Sequence, residues 1–261
     1  MPEPVSQSAA LPAEDLSRYI LRMGDTCLIL GHRMSELMGH APVLEEDLSV
    51  ANIALEQVDQ ARAWLTLAGE LTQPRRSEDE LAYLRDQHEF LNLTLAEQPN
   101  GHFGDTVVRQ LLVSAWQREW YRCAAKGAHQ KIGELANRFL PQTEFHWRWA
   151  RDWLVRLGDG TELSHNRAQA SVDQLWRYTG EIFTSDELDA AAVRADIVPE
   201  FMDLPAATGS ALSAALTDAT LEQPATTAIR WHGKRGEHGE TLGILLAEMQ
   251  SLARAHPGAQ W

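Results

Sequence analysis

The sequence predicts an all-α protein, a bundle of four long helices followed by shorter ones. Three observations carry that class. Apolar residues recur at three- and four-residue steps over long stretches as far as Gly158. No stretch alternates apolar and polar residues as a half-buried strand does, and no solenoid-like repeat is present. Clusters of proline, glycine and asparagine fall between the periodic stretches, where connections belong.

Residues 1–13, MPEPVSQSAALPA, combine prolines with small polar residues and show no period, so they read as a mobile tail. Residues 14–261 read as one helical domain with a C-terminal helical extension. The first helix carries Leu16, Ile20, Met23, Cys27, Leu30, Met34 and Leu37 at helical spacing until Gly39-His40-Ala41-Pro42 stops it. The second opens at Leu44, with Leu48, Ala51, Leu55, Val58, Arg62 and Leu65 on one stripe, and ends before Gln73-Pro74. At about 1.5 Å per residue each helix is about 35–45 Å long, and the short loop between them makes the pair antiparallel.

A helix start at Ser77 and a shorter helix through Phe90 and Leu95 precede the turn Gln98-Pro99-Asn100-Gly101. Asp105 is the expected cap of the third long helix, whose apolar side carries Val108, Leu111, Leu112, Ala115, Trp116, Trp120 and Cys123. The fourth runs from Gln130 to Leu157, kinked or restarted at Pro141 because proline removes a helical donor. The last third is more broken: Arg167–Phe183, a short piece after Ser185, a proline-containing connector, Ser210–Leu221, and His238–Ala255.

Composition limits the function. With 261 residues, of which 44% are hydrophobic, the chain is long enough to bury a closed core. A formal net charge of -14 argues against a surface that tracks phosphates, so nucleic acid is not an expected partner. No apolar run is long enough to span a bilayer and no signal pattern opens the chain, which predicts a cytoplasmic protein without a membrane partner. Cys27 and Cys123 match no ligand spacing and read as buried thiols.

Long four-helix bundles often hold two metals, using a carboxylate from each of two helices and a Glu-x-x-His pair from each of the other two. Against that template, Asp25 sits among leucines on the first helix. Glu56 and Asp59 follow on the second, and the 31-residue spacing from Asp25 to Glu56 suits two level positions on antiparallel helices. Asp59 stands where histidine belongs. On the fourth helix His146 is preceded three residues earlier by Thr143, and Glu144 points roughly 160° away from His146. On the third, Gln110 and Ser114 occupy the plausible rows and Glu119 lies about a turn too far along. Asp25, Glu56, Asp59 and His146 therefore read as a lapsed site. No catalytic residue, no cofactor and no metal are expected on this chain. An alternative makes Asp25, Glu56 and His146 a buried polar cluster with Arg62 or Gln60.

The stretches Gly24-Asp25-Thr26-Cys27-Leu28-Ile29-Leu30, Gly39 to Glu45, Ala51 to Leu55, Glu97-Gln98-Pro99-Asn100-Gly101 and Gly233 to Gln250 resemble the phenylacetic acid degradation protein C family. That family contains the structural, C-type subunit of phenylacetyl-coenzyme A 1,2-epoxidase, and the resemblance covers about Ser17 to Trp261. It implies a ferritin-like fold and a non-catalytic role beside a homologous di-iron catalytic subunit. The catalytic subunit inserts an oxygen atom into the ring of phenylacetyl-coenzyme A, with electrons from NADPH through a separate reductase. Other epoxidase subunits and the reductase are then partners too. Two rivals stay open: a metalloenzyme of unusual ligation built on Asp25, Glu56, Asp59 and His146, and a stand-alone helical adaptor.

Four other features invite a function. Trp116 with Trp120, and Trp149 with Trp153, stack at helical spacing and read as core or interface rather than an electron path. The first helix is apolar almost all round, which suggests a partner surface as its second cover. Arg230 to His238 is the compact basic patch of an acidic chain, with Lys234 and Arg235 as contacts for a partner or for coenzyme A phosphates. His32, Glu36 and His40 form a row that reads as a solvated helix end.

Overall fold

Four long helices, α1 (Ala13–Glu36), α2 (Leu44–Glu70), α4 (Phe103–Ala124) and α5 (Gln130–Gly158), form two antiparallel hairpins that pack together. Between the hairpins lies the short α3 (Glu78–Tyr83). After them come α6 (Glu162–Trp176), α7 (Gly180–Phe183), α8 (Glu187–Arg194), α9 (Leu204–Asp218), α10 (Glu240–Met249) and α11 (Ser251–Ala255). The computed structural model describes residues 10–199, 201–225 and 232–259, and no strand occurs among them. The tail expected over residues 1–13 lies mostly outside the described residues, as do Arg230 and Trp231 of the basic patch.

The hairpin α1–α2 packs closely because α1 presents glycine to its neighbour. A Cβ on Gly31 would stand 3.0 Å from Val58 Cγ2, a distance that permits no larger side chain without movement. The core around this contact joins Ile20, Met23, Ile29, Leu30 and Met34 of α1 to Ile53, Trp64 and Ala68 of α2, and to Val107, Tyr121 and Phe139. Helix α5 runs unbroken through Pro141. That residue lies on the exposed face, as does Asn137, whose carbonyl the proline cannot bond.

Several expected elements differ. His102, not Asp105, is the N-cap of α4; Asp105 reaches back from the third position and accepts the His102 backbone N–H at 2.9 Å. Helix α6 opens earlier than Arg167, capped by Thr161, and stops at Trp176 before the separate turn α7. Helix α9 begins at Leu204, and the last expected helix divides at Gln250.

The largest departure is the segment 84–98, expected as a helix through Phe90 and Leu95. It makes one 3-10 turn over Gln87–Glu89 and then runs as irregular backbone buried against α1, with Phe90, Leu91, Leu93 and Leu95 in the core. Buried side chains take the amides a helix would have bonded internally. Asp25 accepts from Leu91 N at 2.8 Å, Thr26 Oγ1 from Leu93 N at 3.1 Å and Glu181 from Thr94 N at 2.7 Å. This segment is the second cover of α1, the place a partner was expected to fill.

Residues 233–250 strap the segment down. Gly236 has φ +84°, and a Cβ there would stand 2.2 Å from the His88 carbonyl oxygen. Gln250 Nε2 donates to the carbonyls of Ala82 and Arg85 at 3.1 and 3.0 Å. The buried His238 ring donates from Nε2 to the Phe90 carbonyl at 2.7 Å, while Nδ1 faces Glu97 Oε2 at 2.9 Å. Both partners are acceptors, so the ring satisfies both only as imidazolium. Burial pushes its pKa down, but the Glu97 hydrogen bond and charge and the Phe90 carbonyl outweigh it, leaving a net rise. A histidine pKa raised by folding stabilises fully below its unfolded value near 6.5, and that contribution is lost as pH rises through the folded value. The melting temperature is therefore expected to fall on that alkaline limb. His238→Gln, which cannot titrate, is expected to flatten that part of the profile.

Candidate functional site

The centre of the bundle is polar, and the carboxylate that reaches it, Glu56, lies at its rim. From α1 comes Cys27; from α2, Gln57 and Gln60; from α4, Gln117 and Tyr121; from α5, Thr143 and His146. All are fully buried, at 0% exposure. Gln117 Nε2 donates to Cys27 Sγ at 3.2 Å, and Gln57 Nε2 donates to Gln117 Oε1 at 3.2 Å. Gln57 Nε2 also lies 3.3 Å from His146 Nδ1. Tyr121 donates its hydroxyl proton to Gln60 Oε1 at 2.8 Å and accepts from Trp64 Nε1 at 3.2 Å. Gln60 in turn donates to Gln142 Oε1 at 3.1 Å. The network ends outward at His146 Nε2, 2.7 Å from Glu56 Oε2, whose side chain is 35% exposed.

Set against the two-metal template, these residues occupy its positions with the wrong chemistry. Gln57-x-x-Gln60 on α2 and Thr143-x-x-His146 on α5 have the spacing of the two Glu-x-x-His pairs. Cys27 and Gln117 stand where single carboxylates from the other two helices would stand. Among the six, only His146 is the residue type that the template calls for at its position. Burial pushes the Cys27 thiol up to about 12, so it stays protonated, and burial likewise lifts the Tyr121 phenol well above its usual value. A pair of cations here would face amides, a hydroxyl and a thiol, with no anionic ligand to offset their charge, so the residues do not fit a di-iron centre. Among the described residues, no three His, Cys, Asp or Glu side chains converge as a metal-binding group.

The four residues read from the sequence as a lapsed site are not brought together. Asp25 points the other way, into a bidentate ion pair with Arg85 under the 84–98 segment; Arg85 Nη1 lies 3.0 Å from Asp25 Oδ2. Asp59 is on the outside of α2, paired with Arg138 at 2.8 Å. Glu56 and His146 do meet, the histidine buried in the central network and the carboxylate at its rim. The alternative cluster with Arg62 fails because Arg62 is exposed and pairs with Glu78, whereas Gln60 belongs to the central network. One position on a helix is about 100° of rotation, so an error of one residue, Glu56 and Asp59 for Gln57 and Gln60, turns the set from the centre to the rim.

On α4 the polar inward row is the one read from the sequence: Gln110 and Ser114 lie on it and it continues through Gln117 and Tyr121, while the C-terminal helices α6 and α9 pack against α4. Glu119, considered as a ligand, pairs instead with Arg118 and Arg122, and Arg122 also binds Glu144. The signal that finds the true row is burial of glutamine on both hairpins at one level, which hydropathy does not register.

The remaining candidates resolve locally. Lys234 Nζ lies 2.8 Å from Asp189 Oδ2 and donates to the Thr184 carbonyl at 2.8 Å, within a buried cluster where Arg22 binds both Asp186 and Asp189. Arg235 stays largely exposed, 3.7 Å from Asp186. Trp116 and Trp120 are in the core, the latter edge-on to Trp64, and Trp149 and Trp153 both donate to Glu46 Oε2, at 2.8 and 2.7 Å. In the His32 row, Glu36 is taken by Arg33. No helix among the described residues is long and apolar enough to cross a membrane.

Comparison with known proteins agrees with this bundle. The chain is 42% identical over 246 residues, 94% of its own length and 99% of the relative's, to the C-type subunit of the 1,2-phenylacetyl-CoA epoxidase of Escherichia coli (strain K12). A family model described as phenylacetic acid catabolic protein matches residues 1–261. With its all-α, ferritin-like arrangement of four long helices, the chain belongs to the phenylacetic acid catabolic protein family.

Proposed function

We propose that this chain is the structural, C-type subunit of a phenylacetyl-coenzyme A epoxidase and that it carries out no chemistry itself. The supporting observation is the centre of the bundle. Six positions with metal-ligand spacing hold Cys27, Gln57, Gln60, Gln117, Thr143 and His146; hydrogen bonds join five of them to one another, and Thr143 donates to the Phe139 carbonyl of its own helix. Amide, hydroxyl and thiol groups keep the interior of such a bundle polar without the carboxylates of a metal centre. In this reading the di-iron centre belongs to a homologous catalytic subunit, electrons reach it from NADPH through a reductase, and the assembly works in the cytoplasm.

Metal quantification on the chain purified alone, and on the complex co-expressed with the catalytic subunit, tests this. The chain alone is expected to hold no stoichiometric iron. The complex is expected to be stable, with its iron content unchanged by Glu56→Ala in this chain. A lone chain that binds two irons and turns over substrate would refute the proposal. Failure to co-purify with the catalytic subunit would favour a stand-alone adaptor.

A further inference from the structure

Residues 233–250 form a separate piece laid over the segment 84–98. Helix α10 packs on the Gln87–Glu89 turn and on α11, and the residues it buries are Leu242, Leu245 and Leu246. A Cβ on Gly233 would stand 2.1 Å from the Asn92 carbonyl oxygen, so the strap closes flush at this glycine as it does at Gly236. A short element with few buried apolar side chains is the kind of unit that opens locally while the rest of a protein stays folded.

A buried ion pair holds the strap at its middle. The side chains of His238 and Glu97 are 0% and 1% exposed. Glu97 accepts from Asn92 Nδ2 at 3.2 Å, from Gly239 N at 3.1 Å and from His238 Nδ1 at 2.9 Å. Of these donors only the imidazolium carries charge, so it is the counter-ion of the carboxylate. The charged groups on the neighbouring elements make no bond to the ring. Glu181 of α7 accepts from Thr94 N and Lys234 N, and its charge favours the imidazolium. Arg33 of α1 donates to the Glu97 backbone carbonyl at 3.0 and 2.8 Å and pairs with Glu36. Lys234 is taken by Asp189, and His88 meets the strap through its backbone carbonyl. On the strap itself Glu237 and Glu240 are exposed. Loss of a proton from the ring takes the donor from one of its two acceptors and leaves Glu97 charged and buried without a counter-ion, a state that contact with water relieves.

We infer that residues 233–250 are a proton-held latch: doubly protonated His238 clamps the segment 84–98 against α1, and loss of that proton lets the strap lift while the four long helices stay folded. The latch is a property of the fold, independent of the subunit role. Its direction follows from linkage. The folded ring holds its proton more tightly than an exposed histidine does, so opening linked to it is constant below the ordinary value of 6.5. Above that pH it rises about tenfold per pH unit and levels off at the folded value. Burial raises the Glu181 carboxyl too, and opening linked to that group has the same sign but starts near its ordinary 4.5.

Hydrogen exchange of the full chain from about pH 5 to pH 9, read by mass spectrometry with each rate divided by the intrinsic rate at that pH, tests the latch. Peptides from 233–250 are expected to lose protection about tenfold per pH unit above about pH 6.5, while peptides from α2, α4 and α5 keep theirs. His238→Gln is expected to hold 233–250 at one low protection with no step near pH 6.5. A flat profile over 233–250 in the parent would overturn the latch, and so would loss of protection in the long helices in step with the strap. A step near pH 6.5 that survives in His238→Gln would assign the opening to another group. The parent profile decides even where His238→Gln does not fold.

Discussion

Arg85→Ala is expected to destabilise the protein by about 3–5 kcal/mol, the cost of leaving one member of a buried ion pair uncompensated. Asp25 is 0% exposed and Arg85 2%, so neither can turn to water when the other is removed. The guanidinium does more than neutralise. It donates to the Leu81 carbonyl at 2.5 Å and to the Glu89 carbonyl at 2.9 Å, and it lies 4.2 Å from the centre of the Phe90 ring. Its loss removes the contacts that close the C-terminal end of α3 onto the 84–98 segment. Urea denaturation measures the effect. Asp25→Asn combined with Arg85→Met leaves no charge buried and keeps an acceptor for Leu91 N, so the double variant is expected to lose much less than Arg85→Ala alone. A loss below about 1 kcal/mol for Arg85→Ala, within the range of an exposed pair, would show that the pair is not central to the fold.

Restoring the ligand set is expected to convert the bundle centre into a metal site. Cys27→Glu, Gln57→Glu, Gln60→His, Gln117→Glu and Thr143→Glu, with His146 kept, supply the carboxylates and the second histidine of the two-metal pattern. Without metal, four buried carboxyl groups replace a satisfied amide network, and the variant is expected to melt well below the parent. Mn(II) or Fe(II) binds the folded form and is expected to raise that melting temperature by on the order of 10 °C, in step with metal uptake. The parent protein is expected to show no such rise. Metal uptake by the parent, or none by a folded variant, would mean that these six positions are not the ligand positions.

The bundle centre and the Asp25–Arg85 pair mark what the sequence discloses and what it conceals. The four long helices are legible because their ends carry strong punctuation: Gly39 to Pro42 after α1, Gly158 to Gly160 after α5. The face of α2 is not. Its inward row mixes glutamine with valine and tryptophan, and its outward row is leucine-rich, so hydropathy assigns the wrong side. Position 25 shows the same limit. An aspartate among leucines is correctly conspicuous, but its partner lies 60 residues away in a segment whose apolar run, Phe90 to Leu95, imitates a helix. What keeps that run from coiling is a set of long-range bonds from Asp25, Thr26 and Glu181, and no local pattern records them. The tryptophans of α5 are likewise read correctly as packing, while the carboxylate that holds both, Glu46, belongs to another hairpin.

The buried segment 84–98 also orders events in time. Its backbone is completed by groups from three distant parts of the chain: Asp25 and Thr26 in the first helix, Glu181 beyond the second hairpin, and His238 in the strap. The α1–α2 hairpin closes over a short loop, whereas the 84–98 segment beside α1 has its full set of partners only once residues 233–250 are in place. Non-local closure of this kind slows folding and lengthens the exposure of apolar surface. In chain order the strap is the last of these partners, so the segment that covers the leucines of α1 is completed by a residue made 148 positions after Phe90.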